Sequence, residues 1–146
     1  MKSFIAIVIL LITFSSCSKD NDENTNSTAD YLGKWTLVKM SGSMNNSETV
    51  GSAMEWQEFY IFNENETFTK IRIRKDIQST ASGTYILKNI QNEKYLELTY
   101  PNESNIIGSC YGNLKEELYF SANNTLSSTW SYCDGPGLDY KKIIIY

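Results

Sequence analysis

Short hydrophobic runs, separated by residues that favour turns, follow one another from Tyr31 to the end of the chain. In the run KYLELTY, residues 94–100, alternate side chains fall on opposite faces, which is the pattern of a strand with one buried side. Asn-rich segments such as NENE and SANNT predict tight hairpin turns. One short helix is predicted, within ETVGSAMEWQ, where Gly51 limits its length. Nine runs are predicted as strands, over residues 33–40, 54–62, 67–74, 82–88, 94–100, 105–111, 115–121, 125–132 and 138–146.

The spacing of these runs predicts an all-β domain, an antiparallel up-and-down β-barrel of 8–9 strands. The chain has 10 Tyr, 6 Phe and 3 Trp against 2 Pro, a composition that suits pleated, half-buried surfaces. Closing the sheet into a barrel removes its edges. We therefore expect the last run, YKKIIIY, to pair with KWTLVKM in the first. A β-sandwich is the alternative architecture.

The basic run KIRIRK, residues 70–75, alternates cations with isoleucines. We expect Lys70, Arg72 and Arg74 to form the solvent face of a strand rather than a binding patch.

The first 16 residues have the pattern of a secretory signal peptide. One positive charge at Lys2 precedes eleven residues of apolar character and then two serines. A bilayer-spanning helix needs about 20 residues, so this run fits the h-region of a signal peptide instead. The stretch FSSC, residues 14–17, resembles the lipobox of bacterial lipoproteins, with Phe14 where Leu is usual. The resemblance implies cleavage before Cys17 and lipidation of Cys17, which would anchor the protein in the outer membrane, at the cell surface or the periplasmic face.

Residues 17–30 are predicted to be the lipidated cysteine and a flexible tether, because they are polar and contain no aromatic residue. The segment SKDNDE, residues 18–23, resembles the export signal of Bacteroidetes lipoproteins sent to the cell surface. The acidic DNDEN lacks the Gly and the distal Glu of a calcium loop, so no metal site is predicted. The globular domain is expected to span residues 31–146.

The start of this domain carries a family resemblance. Gly33-Lys34-Trp35 is similar to the Gly-X-Trp signature at the first strand of lipocalins and lipocalin-like proteins, and YIFNENETFT and SGTYIL are similar to the strands that follow. The resemblance implies a lipocalin-like barrel in which Gly33 and Trp35 are structural. It also implies that a basic side chain of the final strand, Lys141 or Lys142 here, covers Trp35.

Two cysteines remain after Cys17. In an oxidising compartment, Cys110 and Cys133 are predicted to form a disulfide rather than two free thiols. In the following loop, CDGPGLDY, we expect Asp134 and Asp139 to serve turn formation and capping, with a polar contact at a pocket mouth as the alternative.

The chain contains no histidine, which removes the commonest general base and the commonest metal ligand. Its net charge of −4 becomes −5 after loss of Lys2, with 12 basic and 17 acidic residues, which disfavours nucleic acid as a partner. No cofactor, no metal and no catalytic residue is predicted, and we expect a protein that is not an enzyme. A glycosidase that uses a carboxylate pair is the weakest alternative, with candidates Glu64 and Glu66, or Glu116 and Glu117.

We expect a membrane-anchored binding protein that takes up a small, partly hydrophobic ligand in or at the mouth of the barrel. The alternative is a surface interaction module with a filled barrel, which binds a protein or a glycan through its rim and exposed aromatic residues. The candidate ligand-binding residues are aromatic and lie on the predicted strands: Trp56, Tyr60, Phe62, Phe68, Tyr85 and Trp130.

Overall fold

A computed structural model describes residues 30–121 and 124–143. The predicted signal peptide, Cys17 and the tether up to residue 29 lie outside these residues. Nine strands are present: β1 (Gly33–Ser41), β2 (Thr49–Val50), β3 (Gln57–Phe62), β4 (Thr67–Arg74), β5 (Ile77–Ile90), β6 (Glu93–Thr99), β7 (Lys115–Ser121), β8 (Thr125–Ser128) and β9 (Gly137–Lys142). Two short 3-10 helices, Gly51–Ala53 and Thr129–Cys133, complete the fold. No helix in the described ranges is both long and apolar enough to span a bilayer.

The strands form a closed antiparallel barrel. All nine belong to one sheet, in which each strand from β3 to β9 pairs with its neighbour along the chain and β9 returns to pair with β1. The closure places Thr36 opposite Lys141 and Met40 opposite Leu138. Strand β2 stands outside the ring and pairs with β1 alone. The predicted barrel and the pairing of its first and last strands are therefore confirmed, and the sandwich alternative is excluded.

Two predicted elements were wrong. The run 105–111 is not a strand but part of an irregular loop between β6 and β7, here called the 100–114 loop. Its apolar Ile106 is buried, so the hydrophobic signal reports burial rather than extended backbone. The other error is the strand predicted at 125–132, which ends at Ser128 and continues as a 3-10 helix with the Ser128 hydroxyl accepting from the N–H of Trp130.

The orientation predicted for Lys70 and Arg72 of the basic run is also wrong, whereas Arg74 is exposed as predicted. Lys70 is fully buried and Arg72 is nearly so, whereas Ile73 is 37% exposed on the opposite face. Alternation defines two faces of a strand but does not say which one is inside. Phe68 shares a face with Lys70 and Arg72, and its burial in the aromatic core turns both cations inward.

Trp35 occupies a buried position near the start of β1. Its indole N–H donates to the carbonyl of Tyr31 at 2.8 Å, and its ring packs edge-on against Phe120. Lys142 lies opposite Trp35 in the β1–β9 register and donates to the carbonyl of Asp30. Among the described residues, the lysines and arginines that lie over aromatic rings cover Phe59, Tyr60 and Trp56, and none covers Trp35.

Strand β5 is longer than its partner β6. The half Ile77–Gly83 pairs with β4 on one side only, because the ladder with β6 begins at Thr84. Gly83 lies so close to the carbonyl of Thr99 that a Cβ atom would overlap it. The barrel wall therefore has a gap beside the first half of β5.

Candidate functional site

Four charged side chains meet inside the barrel and form what we call the inner charge cluster: Glu58 of β3, Lys70 and Arg72 of β4, and Glu116 of β7. The Lys70 ammonium lies 2.6 Å from Oε1 of Glu116 and 3.4 Å from Oε1 of Glu58. Two cations and two carboxylates cancel, so the cluster is electrically neutral. Burying charges without such pairing would be strongly unfavourable.

Glu116 accepts hydrogen bonds on both oxygens. Its Oε1 takes the Lys70 ammonium and the backbone N–H of Gly108, while its Oε2 takes the hydroxyls of Tyr60, at 3.1 Å, and Tyr100. The carboxylate is thereby fixed in one orientation in the barrel interior.

Glu58 is held in a similar way. Its Oε2 accepts from Nε of Arg72, and its Oε1 accepts from the hydroxyl of Tyr140 at 2.5 Å. The guanidinium of Arg72 also lies 4.3 Å from the ring centre of Trp56, a cation–π arrangement. Arg72 therefore links the cluster to the aromatic side chain that covers it.

The three tyrosines around the cluster remain hydrogen-bond donors. Burial raises the pKa of Tyr60, Tyr100 and Tyr140 well above 10, and the nearby carboxylates raise it further. Each hydroxyl therefore keeps its proton under physiological conditions.

The 100–114 loop covers the cluster. The carbonyl of Ile106 accepts from Lys70 Nζ at 2.6 Å and from Arg72 Nη2 at 3.3 Å. Cys110 of this loop is bonded to Cys133 at the end of the second 3-10 helix. The predicted disulfide is confirmed, and it ties the loop to the second 3-10 helix.

Five of the six predicted ligand-binding residues are buried in the core and pack against one another. Tyr60 stacks on Phe62 with ring centres 5.7 Å apart, and Phe62 meets Tyr85 edge-on at 5.1 Å. The buried five are Trp56, Tyr60, Phe62, Phe68 and Tyr85. These side chains fill the barrel interior together with the inner charge cluster.

The sixth candidate, Trp130, lies apart from the others and is half-buried. Gly108 and Gly135 approach its ring so closely that a Cβ atom at either position would overlap it. The backbone at these two glycines therefore fixes the position of the Trp130 ring, which lies next to the disulfide.

The carboxylate pairs considered for a glycosidase are not brought together. Glu64 and Glu66 lie exposed in the β3–β4 turn, and Glu116 and Glu117 point to opposite faces of β7. The acid that does face Glu116 across Lys70 is Glu58, which sequence reasoning missed. The sequence could have indicated Glu58, because a hairpin with its turn at NENE pairs Glu58 with Arg72.

The outer wall carries a second group of aromatic residues, here called the outer tyrosine surface: Tyr95 of β6, Tyr119 of β7 and Tyr132 of the second 3-10 helix. Tyr95 and Tyr119 are cross-strand partners with ring centres 6.1 Å apart. Tyr132 is 71% exposed and stacks on Tyr119 at 6.4 Å. The neighbouring Cys133 holds Tyr132 in place through the disulfide.

Asp134 and Asp139 serve structural roles. Asp134 caps the second 3-10 helix in a left-handed conformation, φ 67°, as the turn interpretation predicts. Asp139 accepts from the Ser127 hydroxyl at 2.7 Å and pairs with Lys39 at 3.1 Å, so it braces the barrel wall.

A surface depression of about 480 Å³ lies within the 100–114 loop and is lined by Glu103, Ser104, Asn105, Ile107, Ser109, Gly112 and Leu114. Within residues 30–121 and 124–143, no three acidic, cysteine or histidine side chains are grouped to hold a metal ion.

No protein-family model, no curated protein and no solved structure matches this chain.

Proposed function

We propose that this protein is an outer-membrane lipoprotein, anchored through Cys17, whose lipocalin-like barrel is a binding module that acts through its outer wall. One observation carries the proposal: the barrel interior is filled by its own aromatic side chains and by a neutral, fully bonded charge cluster. A ligand inside would have to displace aromatic side chains that pack against one another. The interaction module is thus the better supported of the two expectations, and it requires no catalysis.

The outer tyrosine surface is the proposed contact. Tyr132 is exposed, and Tyr95 and Tyr119 are partly exposed. Such tyrosines offer flat apolar area with few rotatable bonds and a polar tip, which suits recognition. The outer face around them carries three acids, Glu93, Glu97 and Glu117, and two bases, Lys88 and Lys115, for a net charge of −1. This balance of charge fits a neutral partner. Such a partner would have apolar faces that stack on the tyrosine rings and hydroxyls that donate to the carboxylates. We therefore propose a glycan.

The test is binding of the full chain to an array of neutral polysaccharides, compared between two matched variants. Tyr132→Ala removes a ring of the surface and is expected to weaken binding about fivefold, because a stacked ring contributes about 1 kcal/mol. Tyr111→Ala is the control, since Tyr111 is similarly exposed, at 69%, and stacks on no aromatic ring among the described residues. Equal effects of both variants, or capture of a protein partner without any glycan binding, would contradict the glycan assignment.

A small, partly hydrophobic ligand at the barrel mouth is a second candidate, favoured by the depression within the 100–114 loop. Stabilisation of the full chain by fatty acids, retinoids or sterols in a thermal-shift screen would support it. Substitution of Ile107 in that depression by Asp should then abolish the shift.

A further inference from the structure

A lysine amine and a glutamate carboxyl are held together in a dry, aromatic interior. Lys70 is fully buried, and its Nζ lies 2.6 Å from Oε1 of Glu116. Tyr60, Phe68 and Tyr100 are among the buried rings around the pair. An amine 2.6 Å from a carboxyl oxygen also lies near the carboxyl carbon to which that oxygen is bonded, and groups that are held in such proximity react far faster than free ones.

We propose that Lys70 and Glu116 condense to an intramolecular amide bond, which links β4 to β7 across the barrel interior. The Nζ lone pair forms a bond to the carboxyl carbon of Glu116, and the bond from that carbon to Oε1 breaks. The ammonium begins with three protons, and the amide keeps one. The other two leave with Oε1 as one molecule of water, so no oxidant, reductant or further reactant is required.

Glu58 is positioned to accept the proton whose removal frees the lone pair of Lys70 Nζ. Its Oε1 lies 3.4 Å from Lys70 Nζ, so it accepts one ammonium proton and later passes it to the departing oxygen. The second proton passes directly from Nζ to Oε1 of Glu116, along the hydrogen bond that already joins them. Arg72 and Tyr140 hold Glu58 in that position.

The other carboxylate oxygen of Glu116, Oε2, is positioned to carry the negative charge of the tetrahedral intermediate. Oε2 accepts from the hydroxyls of Tyr60 and Tyr100, two fixed donors in a site that excludes water. After condensation the same hydroxyls donate to the amide carbonyl, and the amide N–H remains beside the carbonyl of Ile106.

Two features favour amide formation over an ion pair. The fold holds both reactants in contact, which replaces the low probability of their encounter in solution. Condensation also converts two buried charges into a neutral, hydrogen-bonded group and so removes part of the cost of desolvation. Glu116 rather than Glu58 is the reacting acid, because it is closer to Lys70 and Glu58 already pairs with Arg72.

The experiment is mass spectrometry of the full chain, purified folded with its disulfide intact. The expected intact mass is lower by one water than the mass of the processed, oxidised chain. Trypsin should fail to cleave after Lys70, and the digest should contain one branched peptide joined through Lys70 and Glu116.

Three variants test which side chains the loss of water requires. Lys70→Arg keeps the cation but replaces the amine with a guanidinium that does not attack, so the full mass and two separate peptides are expected. Glu58→Gln removes the proton acceptor and should slow or abolish the linkage. Glu117→Gln, which changes the adjacent outward-facing acid, should leave the linkage complete.

A wild-type chain that is folded by near-ultraviolet circular dichroism, yet retains its full mass and cleaves after Lys70 following prolonged incubation, would overturn the proposal. A branched peptide joined at Glu58 instead would overturn the assignment of Glu116.

Discussion

Two clusters of lysine and glutamate lie on the two faces of the same barrel wall. The inner charge cluster is buried, and every charge in it is bonded to several partners. On the outer face, Glu97 pairs with Lys88 and Lys115, whose side chains are about a third or more exposed. The residue types are alike, but solvent screens the outer charges and does not screen the inner ones. Position in the fold, and not residue type, therefore decides what an ion pair contributes to stability.

The largest difference is expected between two Lys→Met variants. Lys70→Met removes both the inner ion pair and the amide proposed to form from it, and it leaves the carboxylates of Glu58 and Glu116 with one cation between them in the core. We therefore expect a loss of at least about 3–5 kcal/mol in the free energy of unfolding. Lys115→Met is the matched change on the outer face, and we expect at most about 1 kcal/mol. Urea denaturation of both variants measures the difference, and similar losses would refute the comparison.

The inner tyrosines should make the fold sensitive to alkali. Their pKa values are raised well above 10 by burial, so the unfolded chain loses these protons at a lower pH than the folded one. Stability is therefore complete below pH 10 and is lost as pH rises above it, by up to about 4 kcal/mol per pH unit for three tyrosines. Absorbance of tyrosinate measured alongside circular dichroism tests this. If these tyrosines ionised before unfolding, the inner cluster would have to be accessible to water.

The disulfide connects the two regions, because it holds the loop over the inner cluster and the helix that carries Tyr132. Replacing Cys110 and Cys133 together by Ser should lower the free energy of unfolding by about 3 kcal/mol, since the bond closes a loop with a sequence separation of 23 residues. Denaturation with and without a reductant gives the same comparison in the wild type. A reductant effect that persists in the double variant would show that the bond is not its cause.

The smallest effect is expected for Glu97→Gln. Hydrogen bonds from Lys88 and Lys115 hold the pKa of the Glu97 carboxyl below its ordinary value of 4.5. A lowered pKa gives stability that is present above pH 4.5 and lost as pH falls through the lowered value. We expect the variant to lose less than about 1 kcal/mol at pH 7 and nothing at strongly acid pH, as measured by thermal melts across the acid range.

The strands could be predicted from local periodicity. The closure of the barrel could be predicted because an open sheet would leave unpaired edge strands. The inner cluster could not, because alternation in KIRIRK leaves the choice of face open. Phe68 could have settled it, since an aromatic residue in step with Lys70 and Arg72 marks their face as the inner one. The 100–114 loop was beyond local patterns, because its Ile106 is buried by distant contacts and its backbone carbonyl, not a side chain, completes the cluster.

The gap beside the first half of β5 has a consequence for local motion. Amides of Ile77–Gly83 that face the gap have no ladder partner within the described residues. By contrast, β1 is paired on both sides at Trp35, Thr36, Lys39 and Met40. Backbone amides that lack such bonds exchange their hydrogens without waiting for global unfolding. We therefore expect local opening to begin at β5 and to reach the paired strands β1 and β9 last. Deuterium uptake should be fastest at the unpaired segment of β5 and slowest along β1 and β9.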